Sequence, residues 1–324
     1  AAGHSALAAP LMDFAIMTDQ SALFSAGPPL VEAATSEKVS KEELGGPQIQ
    51  VAKSGVAHNR TEDDAAAMAL ARQYLGYFPS NAWQRAPRAE TRDTGERLLD
   101  DILSIVPADD RKPYAMSRVA ERVADQGSLL EIQPLFRQSL FTGLARLGGR
   151  SVAVVGNNPQ VKAGSIDRDA ADKGTRFLEI VGSFHLPVIF LADNPGVMPG
   201  SAAERSGALR AAARMFAAQR RLPGPKLHVT LRKAFGFGSS IMGMNPFDAQ
   251  TLSVAFPGAT LGAMPARGGG AASKSDSAQQ AELDAAELGG PYRVADSMGF
   301  DEIIDPRELR NFLLRGLALS AGRE

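Results

Sequence analysis

The segment Ala234-Phe235-Gly236-Phe237-Gly238-Ser239-Ser240 is where residue type and spacing best fit chemistry. It follows an apolar run and leads toward a helix. Small residues there let the chain turn tightly and let a ligand approach the main chain. Amide N–H groups at a helix start hold an anion. They also stabilise an oxyanion that exists only during a reaction. A tight strand-to-helix connection without a ligand uses the same residues, and the residues alone leave these two readings level. Asp193 stands at the C-terminal end of an expected strand, where active sites of α/β folds gather. Asp193-Asn194-Pro195-Gly196 is equally an ordinary turn. The four histidines, His4, His58, His185 and His228, are scattered, and His185 and His228 read as rim or core packing. Gly268-Gly269-Gly270 lacks dinucleotide-site spacing and reads as a flexible loop. No Gly-x-Ser-x-Gly elbow, P-loop or His-Glu-x-x-His motif occurs.

The elements that must carry these residues alternate along the chain. Phe14-Ala15-Ile16-Met17-Thr18 reads as a buried strand, and Gly27-Pro28-Pro29 as a turn. Thr61 is the expected N-cap of a helix whose first turn is acidic and whose apolar stripe is Ala65, Met68, Ala69, Ala71 and Leu75. Residues 79–94, with two prolines and no periodicity, read as a linker. Beyond it, strands are expected at 151–155, 187–191, 227–231 and 252–256. Helices are expected at 167–184 and 201–221, the second turning Leu209, Ala212, Ala213 and Phe216 inward. A final helix is capped by Asp305 with Pro306 at its first position and buries Leu309, Phe312, Leu313 and Leu317. This alternation predicts a layered α/β fold. A faint repeat accompanies it. Gly3-His4-Ser5 is followed some twenty residues on by residues 22–28, and Gly238-Ser239-Ser240 by residues 259–265, each pair ending in a small-residue turn at proline.

The bulk numbers exclude several function classes. With 324 residues, 44% apolar and 22% charged, the chain is long enough for two domains with real cores. A formal net charge of −1 argues against nucleic acid or an acidic membrane as a bulk partner. Zero cysteines exclude disulfides, thiol nucleophiles and thiolate metal sites, and fit a reducing, cytoplasmic setting. No run of about 18 apolar residues calls for a membrane span. The start, in a Gly/Ala-rich stretch without a basic n-region, reads as the inside of a fold rather than a signal peptide.

Several words in order then carry a resemblance. They are Gly27-Pro28-Pro29-Leu30-Val31, Glu43-Leu44-Gly45-Gly46, Ser54-Gly55-Val56-Ala57, Tyr77-Phe78-Pro79-Ser80-Asn81, Lys112-Pro113-Tyr114, Leu130-Glu131-Ile132-Gln133-Pro134, Val155-Gly156-Asn157, Asp193-Asn194-Pro195-Gly196 and Arg232-Lys233-Ala234. Over nearly its whole length the chain resembles the carboxyltransferase (beta) subunits of biotin-dependent acyl-CoA carboxylases of the propionyl-CoA and methylcrotonyl-CoA type. The resemblance implies a crotonase-like (ClpP/crotonase) spiral of strand–strand–helix repeats in two related domains. Residues 1–94 would hold the rear part of the acyl-CoA-side domain plus linker, its front lying before Ala1, and residues 95–324 the biotin-side domain.

The resemblance also implies the chemistry: CO2 passes from carboxybiotin, held on a carrier protein, to the α-carbon of an acyl-CoA through an enolate. The cofactor itself serves as base, so the site requires neither a side-chain base nor a metal. Backbone oxyanion holes would lie at Gly3 and His4 on the thioester side, with Ala2 and Ser5 beside them. On the biotin side they would lie at Phe237 and Gly238, with Gly236, Ser239 and Ser240 contacting substrate. Two departures stand out. In the biotin-side loop, Phe237 occupies a position that is small in the family, and Ser240 falls where acyl choice is tuned. The larger departure is the family's segment before Ala1, which helps hold the CoA and would be expected from a partner chain or from sequence upstream of Ala1. The implied partners are a biotin carboxylase subunit, a biotin carboxyl carrier domain and further copies in a hexamer, with a place in fatty acid metabolism. The alternatives are a biotin-dependent decarboxylase or transcarboxylase subunit, or a non-catalytic relative that binds CoA esters.

Overall fold

The computed structural model describes residues 1–320 apart from Arg92, Thr94 and residues 246–248. The chain falls into two compact units, Ala1–Tyr77 with Glu131–Gln138, and Phe78–Leu130 with Ser139–Glu324. These compact units part between Tyr77 and Phe78, while the domain division expected from the resemblance lies at 94/95, where Thr94 is outside the described residues. Much of the expected linker is tied into the second unit. The Ala89 amide donates to the Gly149 carbonyl at 2.9 Å, and the Gln126 amide to the Asp93 carboxylate at 3.0 Å.

In the first unit, strand β1 (Ile16–Thr18) runs parallel to β2 (Asn59–Thr61), with Met17 paired to Arg60. The expected turn at Gly27 is instead the start of helix α1 (Pro28–Thr35): proline fits the first helical position because its missing N–H is not needed there. Helix α2 (Asp64–Leu75) is capped by Asp63 rather than Thr61, the Asp63 Oδ1 accepting from the Ala66 amide at 2.8 Å. Met17, Leu23, Val51 and Ala57 form a buried cluster here, and Tyr74, Tyr77, Ile132 and Phe136 are buried in the same unit.

The second unit is built on one twisted sheet. Strands β3 (Leu140–Leu147) and β4 (Arg150–Asn157) form an antiparallel hairpin. Gly148 and Gly149 supply the two positive φ values of its two-residue turn, 59° and 76°. Helix α3 (Arg168–Ser183), capped by Asp167, leads to β5 (Val188–Asn194). Helices α4 (Ser201–Ser206) and α5 (Ala208–Arg220) lead to β6 (Lys226–Phe235), then the short helix α6 (Gly236–Ile241) and β7 (Leu252–Ala255). Strand β8 (Thr260–Gly262), helices α7 (Ala266–Ser273) and α8 (Ser277–Leu288), strand β9 (Glu302–Ile303) and helix α9 (Leu309–Ser320) complete it. The sheet order is β9-β7-β6-β5-β4-β3, with β8 also pairing β6. Strands β4, β5, β6, β7 and β9 run parallel to one another, which requires the crossover helices between them. Every residue of β5 and β6 is buried, as expected of parallel strands covered on both faces.

Two expectations change. The single helix over 201–221 breaks at Gly207, whose φ of 85° is left-handed. The break resets the helical phase. Ala208, Ala211, Ala212, Met215 and Ala218 face the core, whereas Leu209 is 59% exposed and Ala213 is also outside. The final helix begins as a 3-10 turn, Pro306–Glu308, with the Asp305 carboxylate accepting from the Arg307 amide, and Leu309, Phe312, Leu313 and Leu317 are buried as expected.

Candidate active site

Strand β6 ends in parallel pairing with β8, Ala234 opposite Leu261 and Phe235 opposite Gly262. The next residue, Gly236, opens α6 at φ 56°, a left-handed value glycine adopts without steric cost. The amides of Gly236, Phe237 and Gly238 precede the first N–H that donates within the helix, so the helix does not use them. Gly238 is pressed onto the turn after β5: a Cβ there would lie 2.8 Å from Gly196 Cα and 2.6 Å from Asn194 Oδ1. That turn is itself fixed. The Gly196 amide donates to Asn194 Oδ1 at 3.0 Å, Asn194 Nδ2 donates to Asn157 Oδ1 at 3.1 Å, and Asn157 Nδ2 donates to the Gly164 carbonyl at 3.1 Å. The Phe237 ring stays 47% exposed and takes no place in the core. Ser239 Oγ donates to the Gly236 carbonyl at 2.6 Å, and Ser240 Oγ donates to Asn245 Oδ1 at 3.2 Å. Beside Ser239 opens a cavity of about 450 Å³ lined by Met244, Leu261, Met264, Leu283 and Val294 among others.

A buried charge cluster lies under the same strand ends. Asp193 is fully buried at the end of β5. Its Oδ2 accepts from Arg232 Nε at 2.7 Å and from the Tyr114 hydroxyl at 2.9 Å, and Lys233 Nζ lies 3.6 Å from its Oδ1. Arg232 Nη1 also donates to the carbonyls of Pro107, Asp109 and Lys112, and Lys233 Nζ donates to the carbonyl of Asp110 at 2.9 Å. Burial, and then the Asp193 carboxylate, push the Tyr114 hydroxyl well above the usual tyrosine range. Asp193 is thus a carboxylate held by cations and away from solvent. Four of the words in the sequence, 112–114, 155–157, 193–196 and 232–234, converge on this cluster and the asparagine layer above it. Their separation along the chain hid this, since no local spacing links Tyr114 to Asp193.

The other predicted group lies in the first unit. Residues Gly3–Leu7 form a 3-10 helix with Ala2 as its N-cap. Ala2 pairs in parallel with Phe24, Gly3 has φ 62°, and Ser5 Oγ donates to the Ala2 carbonyl at 2.9 Å. These features repeat the second unit: a parallel pairing some twenty-odd residues long in sequence, then a glycine with positive φ, then a helical turn whose serine bonds back to a carbonyl three residues earlier. The Gly3 amide, however, donates to the Phe24 carbonyl at 3.2 Å, so it is occupied within the chain; His4 supplies the next amide, and the Ser5 amide closes the first turn of the 3-10 helix onto Ala2.

The imidazoles of His228 and His185 stay outside this chemistry. His228 is fully buried in β6; its Nδ1 lies 2.8 Å from the Met242 carbonyl and its Nε2 2.8 Å from the Thr230 hydroxyl. A carbonyl can only accept, so Nδ1 carries the proton and Nε2 accepts from Thr230. Burial lowers the His228 pKa from 6.5 to about 4. His185 is exposed at a helix end. Among the described residues, no group of three or more histidines and carboxylates is placed to hold a metal ion, and no helix is long and apolar enough to cross a membrane.

Comparison with known proteins agrees with this architecture. The chain is 33% identical over 330 residues to the propionyl-CoA carboxylase carboxyltransferase subunit of Haloferax mediterranei, covering 98% of this chain and 64% of that protein. It is 32% identical over 326 residues to the methylmalonyl-CoA decarboxylase subunit alpha of Veillonella parvula, covering 99% of this chain and 64% of that protein. Among solved structures it matches the transcarboxylase 12S hexamer with methylmalonyl-coenzyme A and methylmalonic acid bound, at a TM-score of 0.93 and 33% identity, over 99% of this chain and 64% of the other. The chain therefore spans less than two thirds of the length of these relatives. The mixed α/β architecture is the crotonase-like carboxyltransferase fold. The carboxyl transferase domain family matches residues 1–323, and the chain belongs to that family.

Proposed function

We propose that the chain carries the carboxyl-transfer half of a biotin-dependent acyl-CoA carboxylase, moving CO2 from carboxybiotin to the α-carbon of an acyl-CoA. The observation that supports this most is the first turn of α6. Its Phe237 and Gly238 amides are unused by the helix, and Gly238 sits on Gly196 in a gap that a Cβ would fill. Carboxybiotin on its carrier protein supplies the CO2 and the base. The Phe237 and Gly238 amides face the negative charge on the biotin side, while the His4 amide, set by Gly3 and Ala2 with Ser5 beside it, faces the thioester oxygen as the enolate forms. One such donor is typically worth roughly 3–4 kcal/mol of barrier. Ser239 and the cavity beside it, with walls largely apolar, keep water away from this charge. Gly236 sets the turn, and Ser240, close to that wall, tunes which acyl group fits. The exposed Phe237 ring leaves its own amide free to donate. Residues 1–94 and 95–324 correspond to the acyl-CoA-side and biotin-side portions, and the whole enzyme works in the cytoplasm as a hexamer with a biotin carboxylase subunit and a carrier domain.

Similarity to a methylmalonyl-CoA decarboxylase subunit favours a second reading, in which the same transfer runs with different companions. One experiment separates these. Transfer of labelled CO2 between carboxylated carrier and a panel of acyl-CoAs is measured with this chain alone and with the chain joined to the upstream segment the resemblance calls for. Transfer onto acyl-CoA supports the carboxylase reading, and the preferred acyl-CoA names the substrate. Transfer only from a carboxylated acyl-CoA to free biotin supports the decarboxylase reading. No transfer by folded, CoA-binding protein leaves the non-catalytic relative.

A further inference from the structure

The ends of the strands opposite the proposed active site enclose a second cavity, of about 840 Å³. Arg150 and Ser151 open β4, Pro187 precedes β5, Pro225 precedes β6 and Thr251 precedes β7. These four strands are parallel, so all of these residues lie at the N-terminal edge of the sheet, whereas Asp193 and Gly236 lie at its C-terminal edge. All the lining residues belong to the second unit.

The lining has a definite chemistry. Arg85, Arg88, Arg150 and His185 contribute cationic or titratable groups, and no acidic side chain is among the described lining residues. Trp83 lines the same cavity with 93% of its surface exposed, and Phe184 lines it too, half-buried against Phe78 at 5.0 Å between ring centroids. Ser151 also lines it, only 3% exposed, and its Oγ has no hydrogen-bond partner. An unsatisfied buried hydroxyl costs stability unless something supplies a partner. The carboxyl-transfer chemistry uses none of these residues. The size falls within the usual range for small-molecule sites, roughly 300–1,000 Å³.

We propose that this cavity binds a phosphorylated adenosine. The planar base lies against the indole of Trp83, and the phosphates meet the Arg88 guanidinium, whose planar fork suits phosphate oxygens, while Arg150, its Nη1 donating to the Leu317 carbonyl at 2.7 Å, adds positive charge to the wall. Both free adenine nucleotides and the 3′-phosphoadenosine end of coenzyme A present this chemistry. The site is distinct from the proposed oxyanion turns, so it stands whether or not the transferase reading does.

Trp83 is the sole tryptophan of the chain, so its fluorescence reports on this cavity alone. The purified chain is titrated with ATP, ADP, coenzyme A, dephospho-coenzyme A, adenosine and tripolyphosphate, with excitation at the red edge of tryptophan absorption, where adenine does not absorb. The expected result is a saturable change with ADP and ATP that weakens roughly tenfold or more in Arg88→Glu, an exposed position whose replacement leaves the circular dichroism unchanged. An equal change with coenzyme A but not with its dephospho form assigns the 3′-phosphoadenosine end; a change with ADP and ATP alone assigns the free nucleotide. Equal saturation by tripolyphosphate would overturn the adenosine assignment. No saturable change with any ligand, or an undiminished one in Arg88→Glu, would overturn the site.

Discussion

Gly238 is the residue on which the proposed chemistry depends most directly. Its α-carbon rests on Gly196, and a methyl group there would meet Gly196 Cα at 2.8 Å and Asn194 Oδ1 at 2.6 Å, both parts of a turn held by hydrogen bonds. Gly238→Ala therefore lifts the first turn of α6 off its seat and moves two amides. Carboxyl transfer should fall by about 10²-fold, the usual consequence of losing one oxyanion donor, with thermal stability changed little; activity within a few-fold of wild type would count against the amides as donors. His228 gives a prediction about pH. Its folded pKa of about 4 lies below the ordinary 6.5, so the unfolded chain takes up the proton first as pH falls. The associated stability, roughly 3 kcal/mol, is fully present above about pH 6.5 and is lost as pH drops toward about 4. His228→Asn keeps a donor for the Met242 carbonyl but cannot titrate. The difference between urea unfolding free energies of wild type and variant should change with pH inside that window and flatten outside it. A difference that stays constant from pH 7 to pH 4 would refute the buried neutral imidazole.

At the scale of elements, the break between α4 and α5 shows a glycine setting the direction of a helix. Gly207 has φ 85°, and an added Cβ would also approach Arg210 Nη2 at 3.1 Å. Gly207→Ala should cost about 1–2 kcal/mol, seen as a drop of a few degrees in melting temperature. Gly258→Ala, where a Cβ would meet nothing within 4 Å, serves as the near-neutral control. Equal effects of the two substitutions would mean that the left-handed angle does not set the break. The opposite case is Gly174 in α3, where a Cβ would lie 2.5 Å from Met215 Cε; here the missing side chain lets α5 approach α3. The two glycines have separate reasons, one conformational and one of close packing, and the sequence shows only that both are glycine.

At the scale of the molecule, the two units differ in how much apolar surface they bury. The first pairs two strands of three residues each over short apolar clusters such as Met17, Leu23, Val51 and Ala57. The second centres on a parallel sheet whose β5 and β6 are buried throughout. Local opening costs less where fewer apolar groups leave water. Backbone amides of β1 and β2 should exchange with deuterium well before those of β4, β5 and β6, as hydrogen-exchange mass spectrometry on the intact chain can read. Uniform protection across both units would show that they open together. The last helix is tied to the second unit by a fully buried Arg310, whose Nη2 donates to Asp125 Oδ1 at 2.7 Å; this is a long-range ion pair in a region that reads from sequence only as an amphipathic helix.

Residue order alone specifies the α/β class, the order of most strands and helices of the second half, the cap and buried face of the final helix, and the glycine turn after β6. Each follows from local periodicity, capping residues or positive-φ demands. It also carried the family, because several short words kept their order along the chain. Only the tertiary structure decided which of those words meet. Tyr114, Asn157, Asp193 and Arg232 lie far apart in sequence and close in space, since parallel strands bring their C-terminal ends to one edge. It also decided that the Gly3 amide is taken by Phe24, that Leu209 faces outward after the break at Gly207, and that the segment before residue 94 packs with the second unit. These depend on which backbone groups find partners across the fold, and no local pattern encodes that.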